Sequence, residues 1–310
     1  MIGVFYHELF EQHLADYGHV ERPERIQAIL QKIKSSPVAK SVTFIKAEPA
    51  DVAWIARVHE RKYIDDILSL NIDDAVILDW GDTVATPATP QAALYAAGCA
   101  VQAVRMVLEG KLSAAFCAVR PPGHHAESGR AMGFCIFNNI AIAAADLIRN
   151  GGLKRVAIVD WDIHHGNGTE RMFVNDDTVL YISLHQFPHY PGTGAADMTG
   201  MGRGTGYTLN IPMGSGARDD DYIDAFNAKV LPAIDKFRPE FILISAGFDG
   251  HMSDPLSGTM LTSKLFGRMT EMLKERADQY CNGRIVSMLE GGYHLDALAE
   301  SVEEHLKALI

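Results

Sequence analysis

The stretch Arg155-Val-Ala-Ile-Val-Asp160-Trp-Asp162-Ile-His164-His165-Gly166-Asn167-Gly168 decides the fold. Its apolar half, residues 156–159, reads as a strand buried on both faces, and such strands belong to parallel sheets covered by helices. Where the apolar run stops, Asp160, Asp162 and His164 alternate into a Gly-rich turn. Carboxylate oxygens and an imidazole nitrogen are donors for a catalytic divalent metal, and neither group is buried cheaply without a partner. Helix capping plus a satisfied core histidine would explain this stretch taken alone.

Three further segments repeat the layout. Residues 114–119 run into Arg120-Pro-Pro-Gly-His124-His125, residues 241–247 into Phe248-Asp249-Gly250, and residues 284–289 into Glu290-Gly291-Gly292-Tyr293. Ligands of open parallel α/β sheets bind outside the carboxyl ends of the strands, so these four polar ends are expected to meet in one crevice. Packing alone does not call for His-His, Asp-x-His, Asp and Tyr at four strand ends.

Strands are also expected over 2–6 and 179–184, and helices over 22–34, 89–108, 138–149, 219–237, 263–280 and 295–309, where apolar residues recur at three-to-four spacing. Their alternation predicts a three-layer α/β/α fold with a largely parallel sheet. The long segment between Leu184 and Tyr207 carries many glycines but none in a strand-to-helix G-x-G-x-x-G, and no Walker motif exists. A loop of that length inside a compact fold is expected to be functional.

With 310 residues, 47% of them hydrophobic, the chain can bury a large core, and one domain over 1–310 is the expected count. No apolar run of membrane length is apparent and residues 1–7 read as a first strand, so a cytoplasmic protein without a membrane partner is expected. A net charge of -11 argues against nucleic acid as a partner and is compatible with a cationic substrate. Cys99, Cys117, Cys135 and Cys281 stand apart among apolar residues, as buried reduced thiols do, and are not expected to form a zinc site.

Five ordered motifs carry a family resemblance: Arg120-Pro-Pro-Gly-His-His-Ala126, Gly133-Phe134-Cys135, Asp160-x-Asp162-x-His164-His-Gly-Asn-Gly, Ala246-Gly-Phe-Asp249 and Leu289-Glu-Gly-Gly-Tyr293. From about Glu21 onward the chain resembles the zinc-dependent histone deacetylase family, in the class II-like form of bacterial histone deacetylase-like amidohydrolases. The resemblance implies the arginase/deacetylase fold, with about eight mainly parallel strands between helices, and hydrolysis of N-acetyl amides. It implies Asp162, His164 and Asp249 as ligands of Zn2+, leaving a position open for water and substrate. Two oxygens and one nitrogen also suit Fe2+ or Co2+.

By the same resemblance, His125 is the general base, His124 its charged or hydrogen-bonding neighbour, and Asp160 and Asn167 their respective partners. Class I members have an aspartate where Asn167 stands. Tyr293 is the oxyanion donor, and Phe134 and Tyr190 are the aromatic walls of an acyl-lysine tunnel. Gly133 offers a carbonyl to the substrate amide, and Arg25 holds the Gly291-Gly292 turn. Structural K+ or Na+ is implied at Asp160, Asp162, His164, Ser183 and Leu184, with an outer site at Phe173, Asp176, Val179 and Tyr207. His59, His185 and His305 are expected to be structural or solvated.

Two departures bear on the substrate. His19-Val20 lacks the proline usual at the tunnel rim, and Leu256 stands where acetylpolyamine deacetylases of the class II branch carry a glutamate. An acylated lysine in a protein or peptide is therefore the expected substrate, with an acetylated polyamine or another small acetylated amine as the alternative. A silent acyl-lysine-binding module is a rival from another class. An arginase-like ureohydrolase is a further one, for which Asn167 and Gly250 do not supply the second metal's ligands. A homo-oligomer is compatible with the sequence.

Overall fold

The computed structural model describes every residue except Asp16, Trp80 and Asp82. Its main sheet comprises β1 (Ile2–Tyr6), β2 (Val42–Lys46), β3 (Ala114–Cys117), β4 (Val156–Asp160), β5 (Val179–Gln186), β6 (Thr208–Met213), β7 (Phe241–Ala246) and β8 (Ile285–Leu289). The order across the sheet is β2-β1-β3-β8-β7-β4-β5-β6, and every pairing is parallel. Every residue of β3, β4, β7 and β8 is buried. That is the pattern of a parallel sheet covered on both faces, as the apolar run at 156–159 predicts.

The helices form two packed groups. Glu24–Ser35 and Ser263–Tyr280 both pack on Leu295–Leu309, while Thr89–Leu108 packs on Asn139–Arg149. Thr89–Leu108 is long and apolar enough to cross a bilayer, but 61% of its most apolar window is buried inside the protein, as befits a core helix. The expected absence of any such run is corrected to that extent. Asn138 caps the helix after it, its side chain accepting from the Ala141 N–H at 3.1 Å.

The register of the sheet positions the site. Cys117 of β3 lies beside Met288 of β8, Met288 beside Ser245 of β7, and Ser245 beside Asp160 of β4. These strands therefore end at one level. The segments that follow, starting at residues 118, 290, 247 and 161, open onto one edge, where polar groups must find one another.

The edge strands β2 and β6 were not expected. β2 is only half buried, which blurs its apolar pattern, and β6 contains Pro212, a residue that strands tolerate at an edge. The short pair Val76–Ile77 and Val84–Ala85 was likewise unforeseen, as were the helices Leu9–Gln12, Val52–Ile55, Arg61–Leu68 and Asn167–Phe173. The helix expected over 219–237 is broken by a π-turn, Phe226–Val230, between Asp219–Ala225 and Leu231–Phe237. Pro232 has no N–H to continue the regular ladder there. The segment from 187 to 207 contains only the 3-10 turn Gly202–Gly204.

Candidate active site

At the shared strand ends, Asp162, His164 and Asp249 bring ligand atoms within 4.8 Å of one another, and all three residues are buried. Each carboxylate is aimed by backbone. Gly291 N–H donates to Asp162 Oδ2 at 2.8 Å, and Ile163 N–H donates to Asp249 Oδ1 at 2.9 Å. His164 Nδ1 stands 3.1 Å from both Asp162 Oδ1 and Asp249 Oδ2. Burial and the Asp162 charge raise Asp249 to about 7. His164 goes up to about 10, since its carboxylate partners outweigh burial. Two buried carboxylates facing one imidazole offer hard oxygens and a nitrogen at ligand spacing, a donor set that suits a divalent cation. The residues fit the ion that the sequence implies.

The two adjacent histidines differ in their surroundings. His124 Nδ1–H donates to Asp160 Oδ2 at 3.0 Å, whereas His125 Nδ1–H donates to the neutral Asn167 Oδ1 at 2.8 Å. Burial lowers His124, but Asp160, Asp162 and Glu290 outweigh it and raise it to about 10. Burial, joined by the charges of His124 and His164, holds His125 well below the ordinary imidazole value. One imidazole is therefore kept charged and its neighbour neutral, with its Nδ1 occupied and its Nε2 lone pair free.

A cavity of about 220 Å3 adjoins these groups, smaller than the roughly 300–1,000 Å3 of drug-sized sites. His125, His164, Phe134, Tyr190, Leu256 and Tyr293 all line it. Tyr190 meets His125 edge-on with ring centroids 5.2 Å apart, and Phe134 meets Tyr293 edge-on at 5.9 Å. Gly133 also lines the cavity, with φ of +56°, and a Cβ there would lie 2.4 Å from the His125 ring. Tyr293 is held by its own N–H, which donates to Asp254 Oδ2 at 2.6 Å. The hydroxyl of Tyr293 carries no hydrogen bond among the described residues. The Arg25 guanidinium sits 4.9 Å from the ring centroid of Tyr293.

His19 lies further out, half-buried, its ring edge-on to Phe134 at 4.6 Å. Arg25 holds the Gly291-Gly292 turn through backbone, donating from Nε to the Gly292 carbonyl at 2.6 Å and from Nη2 to the Glu290 carbonyl. Ser183 pairs in register with Asp160, and Leu184 follows it in β5. In the outer set, the Phe173 carbonyl accepts from Asp176 N–H and the Tyr207 carbonyl from Tyr181 N–H, each at 2.9 Å, while Val179 starts β5. A carbonyl keeps a second lone pair in such cases. His59, His185 and His305 are buried with hydrogen-bond partners on their rings, as expected of structural histidines.

Several residues escaped sequence reasoning. His189 lines the cavity, stacks on His164 with centroids 4.9 Å apart, and donates from Nε2 to the Leu256 carbonyl at 3.1 Å. Only its position beside Tyr190 hinted at this. Thr83 accepts from the N–H of Phe134 at 3.1 Å and donates to Asp79 at 2.6 Å, so a turn distant in sequence supports the left-handed Phe134 backbone. Glu127 accepts from Asn167 Nδ2 at 2.9 Å. A second cluster, His124, Cys135 and Glu290, also has metal-type donors. There Glu290 is already satisfied, by the N–H groups of Gly123 and His124 and by the Ser245 hydroxyl. It is better described as a buried acid, raised to about 7 by burial, that ties β8 to the histidine turn.

The chain is similar to several known proteins. The model of the histone deacetylase domain matches residues 19–309. A probable deacetylase of Archaeoglobus fulgidus is 38% identical over 296 residues, which is 95% of this chain and 82% of that protein. A rice (Oryza sativa subsp. japonica) protein named histone deacetylase 10, chloroplastic, is 39% identical over 309 residues, 94% of this chain and 70% of that one. Among solved structures, the HDA15 HD domain superposes with a TM-score of 0.94 at 38% identity, covering 99% of this chain and 87% of that one. The sheet is thus that of the arginase/deacetylase fold, and the chain belongs to the histone deacetylase family, a deacetylase hydrolysing amide bonds.

Proposed function

We propose that the chain, as one deacetylase domain over 1–310, removes acetyl or related short acyl groups from lysine side chains of proteins or peptides. The observation that carries this reading is the small cavity walled by Phe134, Tyr190 and Leu256 that leads to the buried Asp162, His164 and Asp249. In this reading those three residues hold one divalent ion, Zn2+ or alternatively Fe2+ or Co2+, with K+ or Na+ as structural ions at the flanking carbonyls. When bound, the ion supplies Lewis-acid polarisation of the acyl carbonyl and of water. Phe134 and Tyr190 sandwich the aliphatic chain, and the Gly133 carbonyl accepts the substrate amide N–H.

The protons are moved by this chain's own side chains. His125, neutral and with Nε2 free, takes the proton of the attacking water and passes it to the departing amine. His124, kept charged by Asp160, adds positive charge beside the developing oxyanion. The Tyr293 hydroxyl donates to that oxyanion, and preorganised donors of this kind are worth roughly 3–4 kcal/mol. Tyr293→Phe is expected to lower kcat by about 100- to 1,000-fold, with the ion content unchanged. Elemental analysis beside steady-state kinetics checks this; a loss below about threefold would remove Tyr293 from the chemistry. A cytoplasmic location belongs to this reading, in which Thr89–Leu108 serves as a largely buried core helix.

Leu256 favours lysine over polyamine. An apolar wall penalises the ammonium that an acetylpolyamine retains by several kcal/mol, whereas an acetyl-lysine side chain brings no charge there. Asp254 fixes this wall by accepting the Leu256 N–H at 3.0 Å while it also holds Tyr293. Acetyl-lysine peptides are therefore expected to exceed acetylspermidine and acetylputrescine in kcat/KM, and Leu256→Glu to move the ratio toward acetylspermidine by at least about tenfold. A higher kcat/KM of the unaltered protein for an acetylpolyamine than for every acyl-lysine peptide tried would replace the lysine reading with the small-amine one.

A further inference from the structure

Asn167 is an amide, and an amide has two unlike ends. If its NH2 faced His125, the imidazole would have to accept at Nδ1, its proton would move to Nε2, and the lone pair needed there would be lost. The oxygen must face the histidine, yet nothing in His125 itself selects it.

The selection comes from the other end. Asn167 Nδ2 donates to Glu127 Oε1 at 2.9 Å, and a carboxylate, with acceptors alone, can meet only the NH2 end. Glu127 is in turn fixed by two guanidinium groups. Arg130 donates from Nε to Oε2 and from Nη2 to Oε1, both at 3.0 Å, and Arg171 donates from Nη1 to Oε2 at 2.9 Å. Glu127 is 9% exposed and Asn167 3% exposed, so water does not substitute freely for either contact. The remaining neighbours of Nδ2, the His125 carbonyl at 3.4 Å and Met132 Sδ at 3.2 Å, are acceptors too, but long or weak.

We infer that Glu127 is the positioning residue that locks the Asn167 amide, and through it the His125 tautomer with Nε2 free. This rests on His125 being the proton-transfer group. It also gives a reason for the residue type at 167. An aspartate there would set a second carboxylate where the amide nitrogen now lies 2.9 Å from Glu127, so the acid at 127 and the amide at 167 require each other. Along this chain of contacts, the partner of the catalytic histidine is chosen by a residue that never touches it.

The test is a double-mutant cycle on the full-length, metal-loaded protein with an acetyl-lysine peptide as substrate. Glu127→Ala is expected to lower kcat by about tenfold with KM within about twofold, and Glu127→Gln, which keeps an acceptor for Asn167, by much less. Asn167→Asp is expected to lower kcat by about 100-fold in the native background, but by no more than about tenfold in the presence of Glu127→Gln, whose amide can donate to the new carboxylate. Equal losses from Asn167→Asp in both backgrounds would overturn the inference, and so would a native kcat in Glu127→Ala. His125→Ala separates the two levels. Native activity in that variant sinks the proton-transfer reading itself, whereas its loss without coupling between 127 and 167 sinks only the role of Glu127.

Discussion

Replacing His125 with alanine is expected to lower kcat by roughly 100- to 10,000-fold while KM changes little, because the group acts on a proton in transit and not on the bound ground state. The geometry gives this side chain no other task. Its Nδ1 is committed to Asn167, its ring lines the cavity, and burial beside the charged His124 keeps it neutral. The pH profile carries the same information with a definite sign. Protonation of His125 abolishes the base, so activity falls as pH falls through its pKa. Since that pKa is lowered, the acidic limb of kcat/KM is expected below the ordinary imidazole value of 6.5. Steady-state rates across pH check both points, and a limb above 6.5 would mean that another group limits the rate.

Loss of the divalent ion is expected to have an effect of similar size. Chelation should abolish turnover and added Zn2+ or Co2+ restore it, since Lewis-acid stabilisation worth about 4 kcal/mol corresponds to about 1,000-fold in rate. Asp249→Ala should both empty the site and silence the enzyme, because in the proposed reading it removes one of three protein ligands. Removing that carboxylate also frees the Ile163 N–H it now accepts, loosening the turn that carries Asp162 and His164. Elemental analysis of the purified variant is the check, and one equivalent of ion retained by Asp249→Ala would take that residue out of the site.

What could be read from the chain depended on how strongly each residue's neighbours are fixed by local pattern. Strands β4, β7 and β8 are short apolar runs with polar ends, and those ends meet at one edge because parallel pairing aligns them, as Ser245 beside Asp160 shows. The histidine pairings with Asp160 and Asn167 followed the family motif. β2 and β6 were not legible because edge strands need not be apolar throughout, and β6 includes Pro212, which strands tolerate chiefly at an edge. Glu127, Thr83 and His189 were missed for a different reason. Each acts through one long-range hydrogen bond or ring contact, to Asn167, Phe134 and His164 respectively, and no periodicity in sequence encodes a contact across 40, 51 or 25 residues.

The central claim is that one buried cluster, Asp162, His164 and Asp249 with His125 and Tyr293 above it, hydrolyses the amide of an acyl-lysine. Acetate release from an acetyl-lysine peptide, followed alongside the free lysine amine, tests it most directly. The metal-loaded protein is expected to produce acetate and free amine in equal amounts over many turnovers, and the chelated protein neither. Tight binding of the peptide without acetate release by the metal-loaded protein would contradict the account and leave a binding module on a deacetylase fold.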